Sequence, residues 1–233
     1  MQRVIAVIAA RQGSQRLKNK NILPFDQSNL LIHKIRQLKK VREIERVVVS
    51  SDSSLMLDMA EKEGAEVQKR PLEYADERSR TFGEVVSWIV KDLNADHIVW
   101  APCVAPLCDE YVFQQALKAY YEHVIFSKYY DSLVTVKVIR DYIWDRKKPL
   151  NYSLDRHVPS QQLPYWVSVV NGCFISSKQQ ILKNSFCYGE MPYFLEIDKF
   201  SAIDIDDEFD LEYARFVYER RRVEKISRER TDD

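Results

Sequence analysis

Four cations, Arg11, Arg16, Lys18 and Lys20, fall within ten residues of a chain whose net charge is zero, and no acidic residue precedes Asp26. Gln12, Gly13 and Ser14 stand among them, and Asn21 follows directly. An apolar run from Val4 to Ala10 leads straight into this stretch. A buried strand that stops at a small-residue loop exposes backbone N–H groups, and the adjacent cations aim positive charge at the same point. A triphosphate needs that combination. The spacing is neither GxxxxGK[ST] nor GxGxxG, so neither a P-loop ATPase nor a dinucleotide fold is indicated. On residue chemistry alone, a solvated turn with scattered Lys and Arg is the competing reading.

A second constellation lies near the other end, in Phe200-Ser-Ala-Ile-Asp-Ile-Asp-Asp-Glu-Phe-Asp-Leu211. In an extended strand residues two apart share a face. Ile203 and Ile205 then point into the core, and Asp204 and Asp206 point together toward a cleft. Two carboxylates on one face form a hard-oxygen site suited to Mg²⁺, which takes one or two carboxylates plus phosphate oxygens. Alternatively, the acids begin the next helix. Asp207, with Asp210 three residues later, has the spacing of a cap and is assigned that role.

The elements that must position these groups alternate for the first 120 residues. Leu30, Leu31, Ile35, Leu38 and Val41 recur at helical spacing. Arg46 to Asp52 is a β-branched run typical of a buried parallel strand. Leu55, Met56, Met59 and Ala60 form a second helix that Gly64 stops. Glu66 leads into Arg70-Pro71, and Phe82, Val85, Val86, Ile89, Val90 and Leu93 face inward from a third helix. His97–Trp100 reads as a strand and Asp109 to Tyr121 as a helix. This βαβαβα order predicts an α/β fold, a doubly wound and mostly parallel sheet covered on both faces. Ligands in such sheets sit beyond the carboxyl ends of the strands. The loops at Arg11–Ser14, Ser50–Asp52, Arg70 and Pro102–Leu107 should therefore converge on one cleft. The rhythm breaks over 125–170, where a strand from Leu133 to Ile139 precedes a polar, aromatic stretch from Asp141 to Tyr165.

Composition narrows the classes. The chain has 233 residues, 45% hydrophobic and 30% charged, enough for one α/β domain, with 35 basic and 35 acidic side chains. The zero balance argues against nucleic acid as a partner, so the local cation cluster points to a small anion. No apolar run is long enough to span a bilayer. The Val4–Ala10 run is short for a signal peptide and continues straight into the motif, so no leader and a cytoplasmic location are expected. Cys103, Cys108, Cys173 and Cys187 lack CxxC spacing and zinc-distance histidines, and read as free buried or semi-buried thiols in a reducing compartment. His33, His97, His123 and His157 share no motif. The domain is expected to span 1–222, with a charged tail over 223–233.

The segment AARQGSQRLKNKNI resembles the N-terminal signature of the acylneuraminate cytidylyltransferases, the CMP-sialic acid synthetase family, with Arg11, Gln12, Ser14, Lys20 and Asn21 on its positions. The Ile203–Leu211 run matches the family's ID-x-D-x-x-x-DL signature. Arg70 to Asp76 resembles its RP-x-x-x-A-x-D segment, and Gln162-Leu163-Pro164 with Asn171-Gly172 resembles its QLP…NG stretch. The likeness covers most of the chain from Val4 to Ala214. It implies a Rossmann-like nucleotidyltransferase that moves CMP from CTP to a 2-keto sugar acid, releasing pyrophosphate for surface glycan synthesis. It further implies a CTP site of Arg11, Gln12, Gly13, Ser14, Lys20, Asn21 and Arg70, the last against cytosine. Lys20, Arg11 and Asp206 would serve catalysis, Asp204 and Asp206 would ligate Mg²⁺, and Gln162 and Asn171 would line the sugar pocket. Residues 125–170 would form an arm that packs on a second subunit of a homodimer.

The chain departs from the family at one loop. A QPTSPLR-like segment is usual there, and this chain has Pro102-Cys-Val-Ala-Pro-Leu-Cys108. The hydroxyls, amide and arginine are gone, which implies either a less polar acceptor, such as a modified nine- or eight-carbon ulosonic acid, or impaired catalysis. A different acceptor class and an inactive nucleotide-binding partner are the rival readings.

Overall fold

A computed structural model describes residues 2–13, 16–76 and 78–229, with side chains described as far as Val223. The first strand, β1 (Val4–Ala9), is buried on both faces. Val4, Ala6 and Ile8 join one core cluster, and Ile5 and Val7 join the other. A continuous apolar run of this kind suits a strand covered by helices on both sides. The chain then passes through the cationic loop to a short antiparallel pair, β2 (Pro24–Phe25) and β3 (Ser28–Asn29). It enters α1 (Leu30–Lys39), whose first turn is capped by Asn29 Oδ1 accepting from the Ile32 N–H at 2.9 Å.

β4 (Arg46–Ser51), α2 (Ser54–Lys62), β5 (Glu66–Lys69), α3 (Phe82–Val90), β6 (His97–Trp100) and α4 (Glu110–Tyr120) complete the expected alternation. Gly64 ends α2 at φ +72°, in the left-handed region that favours glycine. The remainder is β7 (Ser132–Ile139), β8 (Trp166–Ser177), α5 (Lys178–Asn184), β9 (Pro192–Glu196) and α6 (Glu208–Glu229). The seven-stranded sheet has the order β5-β4-β1-β6-β8-β7-β9. β8 runs against all its neighbours, and the other pairings are parallel. The mostly parallel, doubly wound sheet inferred from periodicity is therefore present.

Successive crossovers from β1 move to β4 and β5 on one side, and the next strand, β6, lies on the other side of β1. Such a reversal leaves a crevice beyond the carboxyl ends of the two central strands. Ala10–Arg11 after β1 and Ala101–Pro102 after β6 flank it.

Several expectations are refined. The segment that leaves the sheet is 140–165, narrower than 125–170, because β7 and all of β8 are sheet strands. It carries no long element, but it is ordered by its own contacts. Asn151 is buried, accepts from the Ile143 N–H at 2.9 Å and donates to the Asp141 carbonyl at 2.8 Å. Tyr142 stacks on His157 at 5.3 Å. Helix α6 continues through 223–229, so the charged tail is largely helical, and 230–233 lie outside the described residues. Phe82, read as inward-facing, is 50% exposed, since it stands at the open N-terminal turn of its helix.

Candidate active site

The crevice holds a cavity of about 680 Å³. Arg11, Arg16, Lys20, Asn21, Arg70, Asn171 and Asp206 all contribute to its wall. Sequence positions from one end of the chain to the other are thus brought to a single site. The cationic loop is fixed from below. Asp52 Oδ1, just past β4, accepts from the Gln12 N–H at 2.9 Å, and buried Asn21 donates to the Arg11 carbonyl at 3.1 Å. Gly13 sits at φ +86°, where a side chain would strain the turn. Gln12 and Gly13 shape this loop without lining the cavity, and Ser14 lies outside the described residues.

Lys20 connects the two motifs. Its Nζ donates to the Ile205 carbonyl at 2.5 Å and lies 3.3 Å from Asp206 Oδ1. Arg16 pairs with the other oxygen of Asp206 at 2.6 Å. The 203–206 segment is extended but forms no strand. The Ile205 N–H donates to the Val104 carbonyl at 2.8 Å, and Ile205 is buried while Asp206 is exposed and Asp204 half-buried. Asp204 accepts from Asn171 Nδ2 at 2.7 Å and stands behind it rather than on the cavity wall. Asp207 caps α6 as expected. Its Oδ1 accepts from the Asp210 N–H at 3.0 Å, and Asp210 Oδ2 reaches back to the Asp207 and Asp206 N–H groups at 3.2 and 2.9 Å.

The two carboxyls are tuned in opposite directions. Burial raises Asp204, the neighbouring Asp206 charge adds to this, and the Asn171 hydrogen bond only partly offsets it. Burial acts upward on Asp206 too, but Lys20 and Arg16 together outweigh it and hold that carboxyl below its ordinary value. No cluster of three or more His, Cys, Asp or Glu suited to a metal occurs among the described residues. Asp204 and Asp206 are hard-oxygen donors of the type magnesium takes, with Asp204 turned to Asn171 and both Asp206 oxygens paired with cations.

Arg70 is 4% exposed, and burial lowers its affinity for a proton, with the Asp52 charge opposing. It donates to the Ala10 carbonyl at 3.3 Å, and its Nε has no partner. The Nε itself is sealed from solvent, so only the rest of the side chain belongs to the cavity wall. Gln162, expected in the sugar pocket, is exposed on a short 3₁₀ turn and does not line the cavity.

The far wall is formed by Pro102 and Val104, from the loop expected at the cleft, with Phe82, Trp100 and Phe174, which sequence reading missed. It also missed Lys34. This fully buried side chain on α1 donates to the Ala105 and Cys108 carbonyls at 2.9 and 2.6 Å and lies 5.0 Å from the Phe113 ring centroid. Gln37, one turn on, donates to the Pro106 carbonyl at 2.7 Å. The 102–108 loop is thus held from behind through its backbone. All four cysteines are free and buried. Burial raises Cys103 to about 12 and Cys108 to about 11, so these thiols stay protonated and Lys34 faces no thiolate.

The sequence profile of the family described as Cytidylyltransferase matches residues 5–159. The chain belongs to the cytidylyltransferase family. Among curated cytidylyltransferases it is similar to the N-acylneuraminate cytidylyltransferase of Escherichia coli O18:K1:H7, at 27% identity over 232 residues covering 96% of this chain. It spans 54% of that relative's length. The CMP-N,N'-diacetyllegionaminic acid synthase of Legionella pneumophila is 28% identical over 221 residues, covering 89% of this chain and 93% of the relative. Among solved structures, a CMP:2-keto-3-deoxy-manno-octonic acid synthetase complexed with CTP superposes with a TM-score of 0.67 at 13% identity. That match covers 94% of this chain and 99% of the other and shows the fold alone. The nucleotidyltransferase architecture of the sheet is thereby established for this cytidylyltransferase.

Proposed function

We propose that this cytidylyltransferase moves CMP from CTP to a 2-keto sugar acid of the nonulosonic type and releases pyrophosphate. The observation that carries the reading is the meeting of Arg11, Arg16, Lys20 and Arg70 with Asp206 around one cavity. Relatives named for sialic and legionaminic acids support the acceptor class. Supply of activated acids for surface glycan synthesis is part of the same proposal and rests on the family resemblance.

In the proposed reaction the sugar's anomeric hydroxyl attacks the α-phosphorus in line, and pyrophosphate leaves. Catalysis of such a step rests on positioning and charge neutralisation. Arg11, Arg16 and Lys20 hold the phosphates, and the Ile205 carbonyl fixes the Lys20 ammonium against the loop. Arg70, on the cavity wall, is assigned to the nucleotide. Asp204 and Asp206 would hold Mg²⁺, which supplies further positive charge at the phosphates. Ser14 is assigned to the same phosphate loop.

The chain is proposed to work in the cytoplasm as a homodimer joined through 140–165. Exposed Trp144, Leu150, Leu154 and Tyr165 on that segment support the docking role. No helix among the described residues is long and apolar enough to cross a membrane.

Pyrophosphate release from CTP and Mg²⁺ across a panel of 2-keto sugar acids tests the reading, with ATP, GTP and UTP as controls. Release with CTP and a sugar acid is expected. CTP binding without release from any acid would favour the inactive structural partner, whose supporting observation is the apolar 102–108 loop.

A further inference from the structure

Arg70 has an inner side as well as a face on the cavity. Its Nη2 donates to the Ala10 carbonyl at 3.3 Å, while its Nε is buried with no hydrogen-bond partner among the described residues. Ser50 Oγ and Gln68 Oε1 share that condition. The sheet brings the three together. Ser50 of β4 and Gln68 of β5 are register partners in a parallel pair, so their side chains leave one face of strands about 4.8 Å apart. Arg70 follows Gln68 by two residues, and its N–H continues the ladder to the Ser51 carbonyl at 2.8 Å, so its side chain leaves on the same face. The guanidinium then crosses β4 toward the end of β1, where the Ala10 N–H donates to the Ser50 carbonyl at 3.0 Å. Helix α3 covers this face, and Gln68 Nε2 donates to the Ile89 carbonyl at 3.1 Å. Val85, one helical turn before Ile89, lies on the cavity wall. The three unpartnered atoms therefore sit just beneath the nucleotide flank.

We propose that Ser50, Gln68 and Arg70 bind one buried water, and that through it Ser50 and Gln68 position the Arg70 guanidinium for CTP. The positioning role rests on the proposed function, which assigns Arg70 to the nucleotide; the water site does not. The chemistry of the three atoms selects the occupant. The Ile89 carbonyl takes the Gln68 amide N–H, which leaves Oε1 as an acceptor; Arg70 Nε–H is a donor, and the Ser50 hydroxyl can be either. An anion would suit Arg70 but face the Gln68 oxygen, and a cation would face Arg70. The Arg70 charge is moreover already opposed by that of Asp52. Water alone both accepts from Nε and donates to Oε1, with Ser50 Oγ as its third partner, the usual complement of a buried water. Held at Nη2 by Ala10 and at Nε by the water, the guanidinium plane cannot swing away from the cavity. Neither Ser50 nor Gln68 lines that cavity, so each acts only through Arg70.

A high-resolution crystal structure of the wild-type enzyme should show one water within about 3.2 Å of all three atoms. Empty density there, or an anion, would overturn the site. Kinetics then test the positioning. Ser50→Ala and Gln68→Met should each raise KM for CTP by about fivefold, the scale of one hydrogen bond, and leave KM for the sugar acid within about twofold. In an Arg70→Lys background, which has no Nε, Ser50→Ala should add less than about twofold to KM for CTP, because both changes break one network. An unchanged KM for CTP in Ser50→Ala, equal losses for both substrates, or full additivity with Arg70→Lys would each overturn the positioning role while leaving cytidylyl transfer standing. Should the wild type release pyrophosphate with no acid, the proposed function falls on its own, and the Kd for CTP by calorimetry replaces KM in the same comparison.

Discussion

Lys20 Nζ lies 3.3 Å from Asp206 Oδ1, joining the first motif of the chain to the last across 186 residues. The pair is what makes one site of two separate sequence signatures. Asp206→Asn removes the negative charge and keeps the side-chain size. Turnover should fall by about a hundredfold or more, the scale of losing one element of transition-state charge stabilisation. The melting temperature should hardly move, because the Asp206 side chain is 52% exposed and surface ion pairs contribute little. Steady-state pyrophosphate release alongside a thermal melt checks both halves. Ordinary turnover in the variant would remove Asp206 from the machinery.

Asp204 tests the metal. Burial disfavours its charge, and a divalent cation would reverse that preference. Chelation of the enzyme should abolish release, and Mg²⁺ should restore it. Asp204→Asn should raise the Mg²⁺ concentration for half-maximal rate by about tenfold, equivalent to ~1.4 kcal/mol of metal binding. A titration of rate against Mg²⁺ for both proteins measures it. An unchanged midpoint would mean that Asp204 only orients Asn171.

Much of this arrangement is legible in the sequence because it follows from periodicity. The two faces of β1, the buried positions of α1 and the cap of α6 are consequences of local spacing that tertiary context did not override. The half-exposed Phe82 has helical inward spacing but lines the crevice, meeting Trp100 and Phe186 edge-on and leaving the rest of its ring open. β8 was not legible, since its twelve residues mix Ser168, Asn171 and Ser176 into an apolar run and its pairing with β7 shifts register between Val134 and Val136. Lys34 was hidden for a different reason. A lysine in a charged helix reads as solvent-facing, and only the three-dimensional approach of the Ala105 and Cys108 carbonyls explains its burial.

Arg70 should set nucleotide affinity. Its planar guanidinium holds the Ala10 carbonyl while forming part of the cavity wall, a geometry that lysine does not reproduce. Arg70→Lys is expected to raise KM for CTP by about tenfold, ~1.4 kcal/mol, with KM for the sugar acid nearly constant. Kinetics with each substrate varied in turn distinguish this from general damage, which would move both constants.

Lys34 should act on the acceptor side. Lys34→Met preserves length and removes the donor, leaving two buried carbonyls without that partner, at a cost of about 2 kcal/mol. The freed 102–108 loop should lower kcat/KM for the sugar acid more than for CTP, since the phosphate loop rests on Asp52 and Asn21 instead. Urea unfolding and two-substrate kinetics read these effects separately. Equal losses for both substrates would make Lys34 a purely structural residue.

His33 links stability to pH. It is packed between Phe25 and Tyr218 and accepts from Gln37 Nε2 at 3.0 Å. Burial lowers its pKa from 6.5 to about 4, the Lys34 and Lys40 charges push the same way, and Asp26 opposes them. The folded state therefore holds this ring neutral, while the unfolded chain protonates it near 6.5. Between those values the unfolded state binds more protons, so stability is full above pH 6.5 and declines as pH falls toward 4. The depressed pKa corresponds to about 3 kcal/mol over that window. His97 is lowered in the same direction by burial and adds to the slope. Unfolding free energies from urea melts at intervals from pH 7 to 4.5 should show the decline, and His33→Gln should flatten it to the share left by His97 and by the carboxyls held low in the folded state, Asp206 among them. A variant with the wild-type slope would assign the acid sensitivity elsewhere.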